Sequence, residues 1–162
     1  MNEKRVYLDT SSIVKRYIEE RGSEVIDRVY EGSEAGRIKT VFSVWNIGEA
    51  LGVLNRYLAR ELLSVKEFET ALTDLIAESI KMIRLNSMQV LPITSKSLVE
   101  SWLLVLRHQI YEADALQISS SKDADCDIFL GADKRVIQVA HEEGIHAINI
   151  ETNAQEALKQ LM

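Results

Sequence analysis

RVYLDTSSIVKRYI, residues 5–18, contains the change of period on which the fold turns. RVYLD (5–9) is a short apolar, β-favouring run closed by an acidic residue, the pattern of a buried strand. Ser11 or Ser12 can then cap a helix that carries Ile13, Val14, Tyr17 and Ile18. A strand that runs straight into a helix begins a βαβ pattern, and in parallel sheets functional groups gather at the carboxyl ends of the strands. Asp9 stands at such an end.

The same alternation continues outward. GSEVIDRVYEG (22–32) reads as a second helix with a serine cap, an acidic first turn and a closing glycine, and RIKTVFS (37–43) as the next strand. From Ser43 a long helix follows, with Ile47, Leu51, Leu54 and Leu58 as its apolar stripe. Residues 64–85 form another, with Val65, Phe68, Leu72, Leu75, Ile76, Ile80 and Ile83 as the stripe and Ser64 and Glu67 as a capping box. MQVLPI (88–93) is a short strand ending near Pro92, and helices follow over 95–107 and 112–122. CDIFLGAD (126–133) is a strong strand signal, followed by a helix over 134–143, a strand at GIHAINI (144–150) and a last helix from 152. No hairpin turn joins neighbouring strands. The pattern predicts one domain over residues 1–162, a three-layer α/β/α sandwich around a mostly parallel sheet of about five strands.

Composition narrows the function classes. The 162 residues are 46% hydrophobic and 27% charged, an ordinary balance for a globular chain with a real core. The single cysteine, Cys126, excludes an internal disulfide and a multi-cysteine zinc ribbon, and it fits a reducing, cytoplasmic setting. MNEKR leads directly into VYLD without an apolar signal core, and no apolar run reaches the roughly 18 residues of a membrane span. His108, His141 and His146 lack zinc spacing and are placed at the surface or at strand edges. Net charge is −6, which disfavours a phosphate-bearing partner unless carboxylates hold metal. Two divalent ions would add about four positive charges where substrate approaches.

Two aspartates stand where chemistry is expected: Asp9 after the first strand and Asp133 after the fourth. If those strands are neighbours, both carboxylates reach one crevice; the alternative is that each only caps the helix that follows it. Glu49 lies nearly opposite the stripe of its helix, beside Trp45, Val53, Gly48 and Gly52, a face too apolar for open solvent. A helix covered on both sides, with the acid turned into a site, accounts for that. Asp114 opens the helix of YEADALQISSS, where Glu112 competes for the same role of stabilising the helix N-terminus. Asp123, Asp125 and Asp127 read as a solvated loop. Together Asp9, Glu49, Asp114 and Asp133 make an oxygen-only set suited to Mg²⁺ or Mn²⁺, whose mutual repulsion would otherwise oppose ionisation.

With these residues in order, the chain resembles the PIN-domain family. VYLDTSSIVKRYI is similar to the family's opening strand, SVWNIGEALGVLNR to its glutamate segment, ADALQISSS to its D-A-L helix, and IFLGADKRVIQVAHEEGI to its last acidic turn. The resemblance implies that Asp9, Glu49, Asp114 and Asp133 are catalytic metal-binding acids and that Ser11 supports Asp9. One departure is Gly131, where the family usually has Thr or Ser two residues before the last Asp. The resemblance further implies a metal-dependent endoribonuclease, with VapC-type toxins among the family. Such a protein would act on RNA, pair with a small antitoxin and form a homodimer; the alternative is a non-catalytic RNA- or protein-binding module on the same scaffold. Lys15, Arg16, Lys134 and Arg135 are candidate phosphate contacts, or else ordinary exposed helical charges. A HAD-type phosphatase would need a second Asp where Ser11 stands, and a Ser–His–Asp hydrolase lacks its G-x-S-x-G elbow.

Overall fold

The structure, a computed structural model, describes residues 3–162. In chain order the elements are β1 (Lys4–Leu8), α1 (Thr10–Val14), α2 (Ser23–Glu34), β2 (Ile38–Ser43), α3 (Val44–Ala59), α4 (Val65–Arg84), β3 (Met88–Leu91), α5 (Ser95–His108), α6 (Glu112–Asp123), β4 (Ile128–Gly131), α7 (Lys134–Glu142), β5 (Ala147–Asn149) and α8 (Ala154–Gln160). The five strands form one sheet in the order β3-β2-β1-β4-β5, with every pairing parallel. Strand order reverses at β1, so the crevice between the carboxyl ends of β1 and β4 is the topological switch point where such sheets bind ligands.

Both faces of the sheet are covered, which explains why its strands are continuous apolar runs. Val6 and Leu8 of β1 and Ile128 and Leu130 of β4 join a core with Val25, Leu54 and Leu75 of α2, α3 and α4. Tyr7 and Phe129 point the other way, into a core with Ile118 of α6 and Val139 of α7. Their rings stack with centroids 5.4 Å apart, locking β1 to β4 below the crevice. This is the expected three-layer sandwich. No helix among the described residues is long and apolar enough to cross a membrane.

The differences from expectation are local. Asp9, not Ser11 or Ser12, caps α1, and Gly22 with φ +93° caps α2 in place of serine. Gly32 lies inside α2 because a Cβ there would meet Ile38 Cδ1 at 2.5 Å. The last two strands are shorter than read, because the chain turns at Ala132 and enters β5 only at Ala147. On α3 the buried residues are Asn46, Ala50 and Leu54, while Leu51 is exposed; on α4 they are Ala71, Leu75, Ser79 and Met82, while Val65, Ile76, Ile80 and Ile83 are exposed. At 100° per residue both buried faces are rotated by roughly 60–80° from the apolar stripes. His108 is buried, not superficial, with Nε2 2.7 Å from Glu143 and Nδ1 3.0 Å from Glu142.

Candidate acidic site

Asp9 follows the last residue of β1, and Asp133 lies two residues beyond the end of β4. The two strands are paired with Leu8 opposite Leu130, and the Asp9 amide donates to the Leu130 carbonyl at 3.1 Å. Asp9, Ser11, Glu49, Asp114 and Asp133 line one cleft of about 380 Å³ with Arg56 and Arg60. Glu112 does not, since its carboxylate accepts from Ser101 Oγ on α5 at 2.8 Å.

Asp9 is buried at the bottom. Its Oδ1 accepts from Ser11 Oγ and from the Ser12 amide, both at 2.7 Å. Burial pushes its pKa up, and those hydrogen bonds oppose the rise. The Ser11 hydroxyl also accepts from the Ala132 amide at 3.2 Å, so it joins the end of β1 to the turn after β4. Asp133 Oδ1 caps α7 by accepting from the amides of Arg135 and Val136 at 2.7 and 3.1 Å. Capping and a place in the site are therefore compatible. In both residues Oδ1 caps a helix and Oδ2 has no hydrogen-bond partner among the described residues.

Glu49 sits on the flank of the buried face of α3, not opposite it. The outer face with Trp45 and Gly48 is open, which corrects the helix expected to be covered on both sides. Its Oε2 accepts from Thr10 Oγ1 at 2.6 Å and from Gln117 Nε2 at 3.2 Å. Behind it, Asn46 Nδ2 donates to Thr10 Oγ1 and to Gln117 Oε1, and Asn46 Oδ1 accepts from Tyr7 Oη at 2.8 Å. The Thr10–Asn46–Gln117 network ties β1, α1, α3 and α6 together and fixes the Glu49 carboxylate. Buried polar networks of this kind are strong when every member is satisfied. Asn46, one turn before Glu49 in an otherwise apolar segment, is the sequence signal that could have revealed it.

Asp114, in the first turn of α6, makes no hydrogen bond among the described residues. Its pKa is pushed up to about 6, first by burial and then by the charges of Asp133, Glu49 and Asp9. The four carboxylates thus share one electrostatic field. Their oxygen-only chemistry fits a hard divalent cation. Among the described residues, no three acidic, histidine or cysteine side chains close on a common point at ligand distance.

None of Lys15, Arg16, Lys134 and Arg135 lines this cleft. Lys15 is buried between Glu20 at 2.9 Å and Glu151 at 2.7 Å. Arg16 pairs with Asp27 and Glu78 at 2.6 and 2.7 Å and lies over the Tyr30 ring. The Arg135 guanidinium donates to the His108 carbonyl at 2.6 Å. The cations at the cleft are Arg56, in the last turn of α3, and Arg60, the residue that caps its carboxyl end.

Gly131 has a steric explanation. A Cβ there would stand 2.6 Å from Asp9 Oδ2 and 3.1 Å from its Cγ, so glycine leaves the room that the buried carboxylate occupies. Ser11 already supplies a hydroxyl to that carboxylate. Gly131→Thr, which restores the residue usual in the family, is therefore expected to lower stability by about 1–3 kcal/mol through overpacking. Denaturant unfolding measures this, and unchanged stability would show that the contact is tolerated.

Comparison with known proteins agrees with this architecture. The PIN domain family model matches residues 6–142. A comparison with curated protein sequences found no significant match. Among solved structures, PAE2754 from Pyrobaculum aerophilum is similar at TM-score 0.59 and 16% identity, covering 98% of this chain and 100% of that one. VapC20 from Mycobacterium tuberculosis, described as a sarcin-ricin loop cleaving toxin, gives TM-score 0.60 and 16% identity over 89% of this chain and 98% of that one. FitAcB from Neisseria gonorrhoeae gives 0.57 and 14% over 90% and 97%. At such identities these neighbours establish the fold, and the family match establishes membership. The chain belongs to the PIN domain family.

Proposed function

We propose that this protein is a divalent-metal-dependent endoribonuclease that hydrolyses RNA phosphodiester bonds, with Asp9, Glu49, Asp114 and Asp133 as its catalytic, Mg²⁺- or Mn²⁺-binding acids. The observation that carries the reading is the convergence of carboxylates from β1, α3, α6 and the end of β4 on one cleft at the switch point. Asp9, Glu49, Asp114 and Asp133 would hold a divalent ion there, which would supply an acidified water and Lewis-acid polarisation of the phosphoryl group. Asp9, fixed by Ser11 Oγ and the Ser12 amide, offers Oδ2; Asp133, fixed by the α7 amides, offers the same atom from the turn after β4. Thr10 and Gln117 hold Glu49 so that Oε1 remains open. Asp114, ionised above about pH 6, would add a fourth carboxylate whose repulsion by the other three a cation would relieve.

The test incubates purified protein with single-stranded and structured RNAs in Mn²⁺, Mg²⁺ or chelator. Cleavage that requires metal and stops with chelator is the expected result. Stoichiometric RNA or protein binding without cleavage would favour a non-catalytic module, a reading to which the loosely spaced carboxylates lend some weight. A cytoplasmic toxin held by a small antitoxin is part of this reading, in keeping with membership of the PIN domain family and with the fold shared with VapC20, described as a toxin; co-purification of such a partner from the native host would test it.

A homodimer formed through α5 belongs to the same reading. Val99, Trp102, Leu103 and Leu106 stand at i, i+3, i+4 and i+7 and are all exposed, a stripe that a second copy would bury. Leu106→Glu is expected to convert a dimer to a monomer at micromolar concentration, measured by light scattering; an unchanged mass would place the interface elsewhere.

A further inference from the structure

We infer that the open groove along α3 is a nucleobase subsite, in which Trp45 stacks on the base next to the scissile phosphate and Arg56 binds that nucleotide's phosphate. The inference rests on the ribonuclease reading and adds to it a place for the substrate. The groove encloses about 540 Å³, within the range of small-ligand sites. Its walls are apolar, with Val44, Trp45 and Ile93 on the sides and Gly48 and Gly52 as the floor.

Trp45 is 43% exposed, a large apolar ring open to solvent beside the groove. The face is open: a Cβ at Gly48 would meet no atom within 4 Å, and one at Gly52 would only touch the Arg56 guanidinium at 3.5 Å. Glycine inside an exposed helix costs up to about 1 kcal/mol relative to alanine, so this flat face is retained against helix propensity. Such a surface presents one aromatic ring with a smooth floor beside it, the shape that accepts a planar base.

The groove is continuous with the acid cleft. Thr10, Glu49, Val53 and Arg56 line both. Trp45 and Glu49 are four residues apart, about 6 Å along the helix, so a base on Trp45 leaves its own phosphate at the carboxylates. Charge points to the same occupant. Among the described residues, neither Arg56 nor Arg60 has an ion pair or a hydrogen-bonded acceptor for its guanidinium, whereas Lys15 and Arg16 each have two acidic partners. In a chain of net charge −6, an uncommitted Arg56 guanidinium at the junction of an aromatic groove and an acidic cleft, with Arg60 farther along that cleft, matches a phosphate backbone. Base stacking on an aromatic side chain is worth about 1–3 kcal/mol and tolerates any base.

Trp102→Phe leaves Trp45 as the one tryptophan, so its fluorescence reports the groove. This protein is titrated, with Ca²⁺ in place of Mg²⁺, with single-stranded hexauridylate, hexaadenylate and an abasic ribose-phosphate hexamer. Saturable quenching by the base-bearing oligomers, with at least about fivefold tighter binding than the abasic one, is the expected result. Trp45→Ala should raise Kd about tenfold and Trp45→Phe should restore most of it. Gly48→Leu should fill the groove and weaken binding equally while the melting temperature holds, which guards against loss of fold. Equal affinity for abasic and base-bearing oligomers, or a folded Gly48→Leu protein that binds as wild type, overturns the subsite, as does quenching of Trp45 by a co-purified polypeptide but by none of the oligomers. Base-selective binding by a protein that cleaves no RNA in Mn²⁺ overturns the ribonuclease reading and leaves the subsite. Metal-dependent cleavage with KM unchanged in Trp45→Ala does the reverse.

Discussion

Asp9→Asn is expected to reduce metal-dependent RNA cleavage by about 10³-fold or more, because one bound ion supplies several kcal/mol of transition-state stabilisation. The substitution keeps shape and can keep the hydrogen bonds from Ser11 Oγ and the Ser12 amide to Oδ1, since the amide oxygen accepts as the carboxylate does. It removes only the charge and the open anionic oxygen. The fold is therefore expected to persist, with circular dichroism and melting temperature close to or above wild type, while cleavage falls to the level of the chelated enzyme. A purified Asp9→Asn protein that cuts at the wild-type rate would show either that the nuclease is a contaminant or that the chemistry lies elsewhere.

Asp114→Asn separates stability from function in the opposite direction. In the metal-free protein the Asp114 pKa is pushed up to about 6. In the unfolded chain an aspartate titrates near 3.9. A folded pKa above the unfolded one means that the protonated form favours the native state. That contribution is fully present below pH 4 and is lost as pH rises through about 6. At pH 7.5 the ionised carboxylate sits half-buried among Asp133, Glu49 and Asp9 and costs on the order of 2 kcal/mol. Asparagine removes that cost, so the metal-free variant should melt roughly 4–8 °C higher than wild type at pH 7.5. Near pH 4 the two proteins should melt together. Added Mn²⁺ should raise the melting temperature of wild type, in proportion to the logarithm of its concentration above Kd, and leave the variant almost unchanged. A variant that melts lower than wild type in chelator, or a difference that does not depend on pH, would remove Asp114 from a shared acidic site.

The order of strands and helices was legible because it rests on local period. VYL and IFL are continuous apolar runs of the kind a doubly covered parallel strand carries, and Asp9 and Asp133 follow them at the ends where loops gather. The rotation of α3 and α4 was not legible. Both carry apolar side chains around more than half their circumference, so the densest stripe does not mark the buried face; contacts with the sheet do. The basic residues misled for a related reason. Lys15 and Arg16 lie close to Asp9 in sequence, but Glu151, Glu78 and Asp27, distant along the chain, take up their charges. His108 is likewise placed by Glu142 and Glu143, which α7 brings to the end of α5.

The acidic site divides along the same line. Local sequence determined which carboxylates stand at strand ends and helix starts, since capping preference and apolar runs act over a few residues. Only the packed structure decided that Glu49 and Asp114 share the field of Asp9 and Asp133, since that depends on α3 and α6 meeting over β1 through Thr10, Asn46 and Gln117. It also decided why position 131 is glycine: in sequence a missing hydroxyl, in space the volume occupied by the Asp9 carboxylate. Period and capping are short-range properties of the chain, whereas mutual desolvation, charge repulsion and steric clearance belong to residues that only the fold brings together.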